Sequence, residues 1–264
     1  MYRVLSLFTL LFVFTGSLLA QDTPTVEEIA AAYIENIGGA DAWKAAKNMR
    51  MTGKASMQGM EFPLTITTAE GDMMRIDVNV QGQQIIQATD GETAWQVMPF
   101  QGINEPTPVS EEEAADMNDQ EYLNEFIDYA DRGYVLTAVE GREIEGAQTL
   151  GVQVTKGEDV DRTYFFDPEY MIPVAMIQKS KSGPMKGMES MTVMSDYEEV
   201  GGLVIPMFLD NQVNGQSVQK ITVTGVETNV ALEEDFFSLP KKEDKKMEAD
   251  DDGDKDKMKK EKKG

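Results

Sequence analysis

Apolar and polar side chains alternate with a two-residue period from Asn48 onward. Met49, Met51, Gly53, Ala55 and Met57 fall on one side of the chain; Arg50, Thr52, Lys54, Ser56 and Gln58 fall on the other. That is the pattern of a strand buried on one face only. Met60, Phe62, Leu64 and Ile66 repeat it against Glu61, Thr65 and Thr67. Met74, Ile76, Val78 and Val80 repeat it again against Arg75, Asp77, Asn79 and Gln81. The turns at Gln58-Gly59, Glu70 to Asp72, Gly82 and Asp90-Gly91 are too short for helical crossovers. The stretch from Asn48 to Phe100 is therefore an antiparallel meander with one apolar face, which the rest of the chain has to cover.

Helical spacing appears ahead of the meander and again after it. Thr25 and Glu28 form a capping box, Val26, Ile29, Ala30, Tyr33 and Ile37 recur on one face, and Gly38-Gly39 stops the helix. A shorter helix from Asp41 to Lys47 carries Trp43. Past Phe100 the prolines 106 and 108 mark a loop. Ser110 to Glu113 is a second capping box, opening a helix expected to reach Arg132 with a break near Asn118 and an apolar stripe of Leu123, Phe126, Ile127 and Ala130. Sheet resumes with expected strands Tyr134–Glu143, Thr149–Thr155, Asp161–Phe166, Ile172–Lys179, Gly187–Asp196, Leu203–Asn211 and Val218–Thr228. Asn214-Gly215 is the strongest hairpin signal. The fold class is mainly β: a large curved antiparallel sheet or incomplete β-barrel of about a dozen strands, covered by three helices.

The ends of the chain are different material. Arg3, an apolar run from Val4 to Phe14 and small residues at Gly16, Ser17 and Ala20 read as a secretory signal (residues 1–20) cleaved near Ala20-Gln21. Residues 21–240 form the expected domain, and residues 241–264, with blocks of charge and almost no apolar side chains, a disordered tail. The body between them carries 13 basic and 38 acidic residues. Such a surface repels nucleic acid and anionic headgroups; it serves solubility, or steers the protein towards a basic partner.

The chain has no His and no Cys. Ser-His-Asp and Cys-His catalysis, disulfides, a lipid-modified cysteine and the usual zinc sites are thereby excluded. No Gly-rich loop joins a strand to a helix, so a nucleotide phosphate cradle is not indicated. Glu248, Asp250, Asp252 and Gly253 resemble part of a calcium loop, but Lys259 stands where the bidentate Glu belongs. The reading is no enzyme, no cofactor and no metal. The positive signal is methionine: 15 of the 18 lie in the body, clustered at 49–60, 73–74 and 171–194. They are either ordinary core, or the flexible, polarisable lining of a pocket for varied apolar ligands.

Several stretches carry a resemblance. TDGETAWQVMPFQG (Thr89–Gly102) resembles the DGKTLWxYNP stretch of LolA and its relatives. IAAAYIENIGGADAWKAAKNMRMTGKASMQGMEFP (Ile29–Pro63), YFFDPEYMIPVAM (Tyr164–Met176), SDYEEVGGLVIP (Ser195–Pro206) and ALEEDFFSLP (Ala231–Pro240) resemble, in that order, landmarks of the Bacteroidetes-type outer-membrane lipoprotein-sorting proteins. The resemblance implies an incomplete barrel with a helical lid over an apolar cavity, holding acyl chains of lipoproteins or other lipids in the periplasm. It also implies inner-membrane release machinery and an outer-membrane receptor as partners. The candidate lining is Met51, Met57, Met60, Phe62, Met74, Ile76, Trp95, Phe126 and Ile127. One feature departs from the family pattern. LolA relatives often carry Arg-Pro before the third strand, where the arginine engages the lid, and here that stretch is Ala69 to Asp72. A second reading from another class is a non-catalytic envelope interaction module using the acidic body or the charged tail.

Overall fold

The computed structural model describes residues 23–118, 121–157, 159–180 and 186–241. The expected signal segment, the calcium-like stretch and residues 242–264 of the tail lie outside them.

Two meanders make one sheet. The first is β1 (Asn48–Met57), β2 (Met60–Ala69), β3 (Met73–Val80), β4 (Gln83–Thr89), β5 (Ala94–Met98) and β6 (Ile103–Pro108). The chain then forms β7 (Tyr134–Val139) and a separate two-stranded ribbon of β8 (Glu143–Ile144) and β9 (Ala147–Gln148). The second meander continues through β10 (Leu150–Lys156), β11 (Asp159–Phe166), β12 (Pro173–Lys179), β13 (Glu189–Val200), β14 (Leu203–Val213) and β15 (Gln216–Thr228). The first strand pairs with the last, from Met49 opposite Thr228 to Ser56 opposite Lys220. The result is one open antiparallel sheet of thirteen strands, with β6 and β7 at its edges. Gln58-Gly59, Gln81-Gly82 and Asn214-Gly215 all place both central residues at positive φ, the backbone that matches the strand twist in two-residue hairpins.

Three helices accompany the sheet: α1 (Val26–Asn36), α2 (Ala40–Ala45) and α3 (Glu111–Asn118). The Thr25–Glu28 capping box is present, with both hydrogen bonds made. Past α1 the chain turns at Gly38 (φ 106°), where a Cβ would lie 2.0 Å from the Gly202 carbonyl oxygen. Only glycine fits there, and it lets the Ile37 carbonyl accept from the Val204 N–H at 3.1 Å, tying the helix to β14.

Residues directly opposite in neighbouring strands share a face, so the register shows what each face carries. Met51, Ile66 and Ile76 form one row; Arg50, Thr67, Arg75, Ala88 and Trp95 form a row on the other side. The first row is continuous, through Ala55, Ile221, Leu209 and Met194, with the face on which α1 packs. We call this the inner face. Its densest part lies under α1, where Ile29, Ala30, Tyr33 and Ile37 meet Phe126, Val152, Val154, Tyr164 and Phe166. Tyr33, Phe126, Tyr164 and Phe166 make edge-on contacts with centroids 5.2 to 5.4 Å apart, each contributing about 1 kcal/mol beyond the area it buries. On the opposite face the segment after β15 returns over the first meander. The Trp95 indole N–H donates to the Phe237 carbonyl at 2.8 Å, and Arg75 donates to the Phe236 carbonyl at 3.1 Å with its guanidinium 4.8 Å above the Phe236 ring.

Three expectations are corrected. The helix expected to run to Arg132 ends at Asn118, and residues 121–133 are a chain of turns. Arg132 is the reason: its guanidinium donates to the carbonyls of Leu123, Asn124 and Ile127, at 3.0, 2.6 and 2.9 Å, and so takes up acceptors that a helix would use. The loop expected around prolines 106 and 108 is the edge strand β6. An edge strand has one side with no ladder partner, so proline costs it no hydrogen bond there. The expected strand Tyr134–Glu143 stops at Val139, because Glu145-Gly146 turns at positive φ and draws Glu143–Ile144 into the small ribbon.

The β1–β15 seam has a specific steric requirement. A Cβ at Gly53 would stand 2.1 Å from the Thr222 carbonyl oxygen, beside the bulge between Thr52 and Gly53. The obstructing oxygen is backbone and the Cβ position is set by the backbone, so neither yields cheaply. Gly53→Ala is expected to lower unfolding stability by about 3 kcal/mol, read from urea melts; a loss under about 0.5 kcal/mol would show that the seam tolerates widening.

Candidate functional site

Across β1, β2 and β3 the inner face is apolar and only partly covered; beyond them Gln87 and Gln96 continue the row of Ile76. Met51, Ile66, Met74, Ile76, Val78 and Ile85 are half-buried on it, in contrast to the closed core under α1. Methionine is concentrated on this side: the register places Met49, Met51, Met57, Met60, Met74, Met176 and Met194 there.

Residues 109–133 connect the two sheet edges across this face. The Val109 N–H donates to the Ala94 carbonyl at 3.1 Å, and the cap of α3 forms as expected, Ser110 and Glu113 exchanging hydrogen bonds. At its end Asn118 bonds to the inward-facing Thr89 hydroxyl at 2.5 Å. The Tyr122 N–H donates to the Asp72 carboxylate at 3.1 Å, and the Tyr122 hydroxyl donates to the Ala46 carbonyl at the end of α2. Lys44 pairs with Asp128, and the Asn124 amide donates to the Tyr33 hydroxyl at 2.7 Å. The segment is thus a roof, pinned to the β2–β3 turn, to α1 and to α2. Asp72 lies within Ala69 to Asp72, the stretch where the resemblance leads one to expect Arg-Pro. The roof has a latch there of a different kind, a carboxylate accepting from roof backbone.

Two charge clusters, one partly exposed and one buried, fix the far half of the roof. Glu121 pairs with Arg132 and, at 2.6 Å, with Lys156 of β10. Burial pushes the Glu121 carboxyl up, but hydrogen bonds from Lys156, Tyr134 and Arg132 and the Arg132 charge outweigh it and bring it from 4.5 to about 2. Deeper in, Glu125 of the roof pairs with Arg162 of β11, and the Tyr164 hydroxyl donates to the same carboxylate. Glu125 is 3% exposed and Arg162 7%. Burial raises the Tyr33 and Tyr164 hydroxyls above the ordinary tyrosine range and brings Tyr122 to about 12, so all three are neutral donors at physiological pH. An open pocket of about 250 Å³ beside Arg162 is lined by Trp43, Tyr122, Leu123, Tyr164 and Met176. A second cleft, about 470 Å³, lies outside the roof between α1 and residues 126–131.

The nine candidate lining residues do not form one wall. Met51, Met74 and Ile76 are half-buried on the inner face, and Phe62 is buried on it. Met57 and Met60 share that face but lie at the sheet's rim, 38% and 51% exposed. Phe126 belongs to the closed aromatic core, and Ile127 is fully buried in the roof beside the outer cleft. Trp95 is on the opposite face under Phe237 and takes no part in the inner surface; a strand of five residues left its parity ambiguous in sequence. The reading passed over Arg162, Glu125, Arg132 and Glu121. Arg162 had a signal: it shares strand parity with Tyr164 and Phe166, which places a charge on an apolar face.

An open antiparallel sheet with helices and a pinned roof on one face defines the class of architecture, an incomplete barrel around an apolar surface. No family model and no curated protein matches the chain. Solved structures do. A domain assigned to outer membrane lipoprotein sorting from Vibrio parahaemolyticus superposes with a TM-score of 0.51, covering 79% of this chain and 97% of its own, at 10% identity. A LolA superfamily protein from Nitrosomonas europaea gives 0.50, 79% and 97%, at 10% identity. A DUF1329 family protein from Desulfovibrio piger gives 0.52, 81% and 98%, at 11% identity. The chain has the LolA-like fold.

The Glu121 cluster sets a pH dependence. Its folded pKa, about 2, lies below the ordinary 4.5. Its contribution is therefore complete above pH 4.5 and is lost as pH falls from 4.5 towards 2. With allowance for the half-exposed Lys156, that contribution is about 2 kcal/mol. Urea melts at pH 6 and pH 3 should show Glu121→Gln losing somewhat more than half of this, about 1 kcal/mol, from the wild-type difference, because the folded carboxylate is still largely ionised at pH 3; an unchanged difference would assign the acid limb to other carboxylates.

Proposed function

We propose that this protein is a non-enzymatic carrier, exported to the periplasm, that holds acyl chains of lipoproteins or other lipids against its inner face for transfer towards the outer membrane. One observation carries the reading: a methionine-rich apolar surface across β1 to β3, only half-buried on the face that carries a roof pinned largely by polar contacts. A structural core would cover such a surface fully, since that adds about 25 cal/mol per Å² of apolar area removed from water. A lipid chain gains that same energy on entering. Methionine side chains adapt to chains of different length and branching. The fold shared with the Vibrio and Nitrosomonas structures supports the reading, as do the expected signal segment of residues 1–20, a domain spanning residues 21–240 and a charged tail outside it.

The test is displacement of a fluorescent acyl probe from the mature protein. Ile76→Glu should weaken probe binding at least tenfold with the circular dichroism spectrum unchanged, because a half-buried position lets the carboxylate reach water without unfolding the sheet. Val218→Glu, at an exposed position away from the inner face, should bind as wild type. Equal binding by all three proteins would remove the inner face as the acyl site, and failure of wild type to take up any acyl probe would favour an interaction module with a filled core.

A further inference from the structure

The Glu125–Arg162 pair sits where charge is least welcome. It lies beside the aromatic core formed by Tyr33, Phe126, Tyr164 and Phe166, with both side chains more than nine-tenths buried. Buried ion pairs seldom stabilise a fold relative to apolar replacements, because desolvation consumes most of the attraction. The two partners also belong to different bodies. Arg162 is fixed in the sheet wall by β11, its Nε 3.4 Å from the Gln178 amide oxygen, whereas Glu125 is borne on the turns of the roof. The Tyr164 hydroxyl, raised above the ordinary tyrosine range by burial, stays a donor and adds a second hydrogen bond to whatever anion occupies this place.

We propose that Arg162 and Tyr164 form a binding site for the anionic head of an acyl lipid, a carboxylate in the first instance, and that Glu125 fills this site while the roof is closed. This inference rests on the acyl-carrier reading and names the cargo class within it. Exchange of one carboxylate for another leaves Arg162 paired throughout, so ligand entry incurs no second desolvation of a buried guanidinium. The adjacent pocket of about 250 Å³, walled by Trp43, Tyr122, Leu123, Asn124 and Met176, with the Glu121 carboxylate on its lining already paired to Arg132 and Lys156, is smaller than the sites that enclose whole ligands. It suits a head and the first methylenes, with the remainder of the chain on the methionine face. A lipid with a neutral head leaves Glu125 in place and gains only the apolar contact. Cargo with an anionic head displaces the Glu125 side chain as it binds, while Phe126 stays anchored in the aromatic core.

Competition against a fluorescent acyl probe at mildly alkaline pH tests this with dodecanoate, methyl dodecanoate and acetate. Dodecanoate should displace the probe at a concentration at least tenfold below the methyl ester, and acetate should not compete. Arg162→Met should bring acid and ester to the same affinity, set by the chain alone. Glu125→Gln removes the competing carboxylate, so it should bind dodecanoate several-fold tighter than wild type and leave the ester unchanged. Should Arg162→Met fail to fold, the wild-type acid-to-ester ratio and the Glu125→Gln result decide alone. Equal displacement by acid and ester in wild type would overturn the head site and leave the carrier standing. Acetate as effective as dodecanoate would make this a small-anion site and overturn the lipid assignment. No binding of probe or either lipid would overturn both readings.

Discussion

The pairing of β1 with β15 is the contact on which the rest depends. Each meander is built from neighbouring hairpins and can form locally, but only this seam, joining residues about 170 positions apart in sequence, makes them one sheet. Without it the row running from Met51 through Ala55 and Ile221 to Met194 is cut, and the inner face is two unrelated surfaces. The seam also brings the two ends of the domain together. Lys47 N–H donates to the Asn229 side chain at 2.7 Å, and Asn48 and Val230 exchange hydrogen bonds at 3.1 and 2.8 Å. From there residues after β15 reach Trp95 and Arg75 on the opposite face. Formation of such a long-range pair is entropically slow, and glycine at 53, beside the bulge, leaves out a side chain that would obstruct it.

The roof follows from the sheet being open. Edge strands β6 and β7 have to be connected, and the connection runs over the inner face because α3 packs at β4 and β5 while Tyr134 starts β7 at the far edge. Over most of its length its fixings are polar: the Asp72, Ala46 and Tyr33 hydrogen bonds, and the carboxylates of Glu121 and Glu125. Such contacts hold a defined position at little net gain, since each replaces a bond to water. Only near Phe126 does apolar burial anchor it. A roof built this way is firm near Phe126 and held along the rest by exchangeable polar contacts, so the two parts differ in what it takes to displace them.

Much of this was legible in sequence, for identifiable reasons. The first three strands were readable because each keeps strict alternation and their turns place glycine at positive φ. The helix starts were readable because both capping boxes are local. What failed depended on distant partners. Turns replace helix beyond residue 120 because Arg132 collects the carbonyls ahead of it, a competition that periodicity of Leu123, Phe126 and Ile127 cannot reveal. Trp95 is excluded from the inner surface by a backbone carbonyl 142 positions away. The charged residues at the site were hidden for a related reason: Glu125 and Arg162 are each unremarkable alone and meet only when the roof lies on β11.

Charge and apolar surface are also sorted along the strand axis. Among the described residues, seven large apolar side chains are exposed, and all but Tyr170 lie at the end holding the β1–β2, β5–β6, β12–β13 and β14–β15 turns. There the tight turns at Gln58-Gly59, Gln81-Gly82 and Asn214-Gly215 carry no charge. The turns at the other end contain Glu70, Asp72, Asp90, Glu92, Asp167 and Glu169. The exposed rim with Met57, Met60 and Phe100 thus lies at the end of the strands away from these acidic turns, so the methionine-rich face meets solvent where the tight hairpins carry no carboxylate to repel a partner.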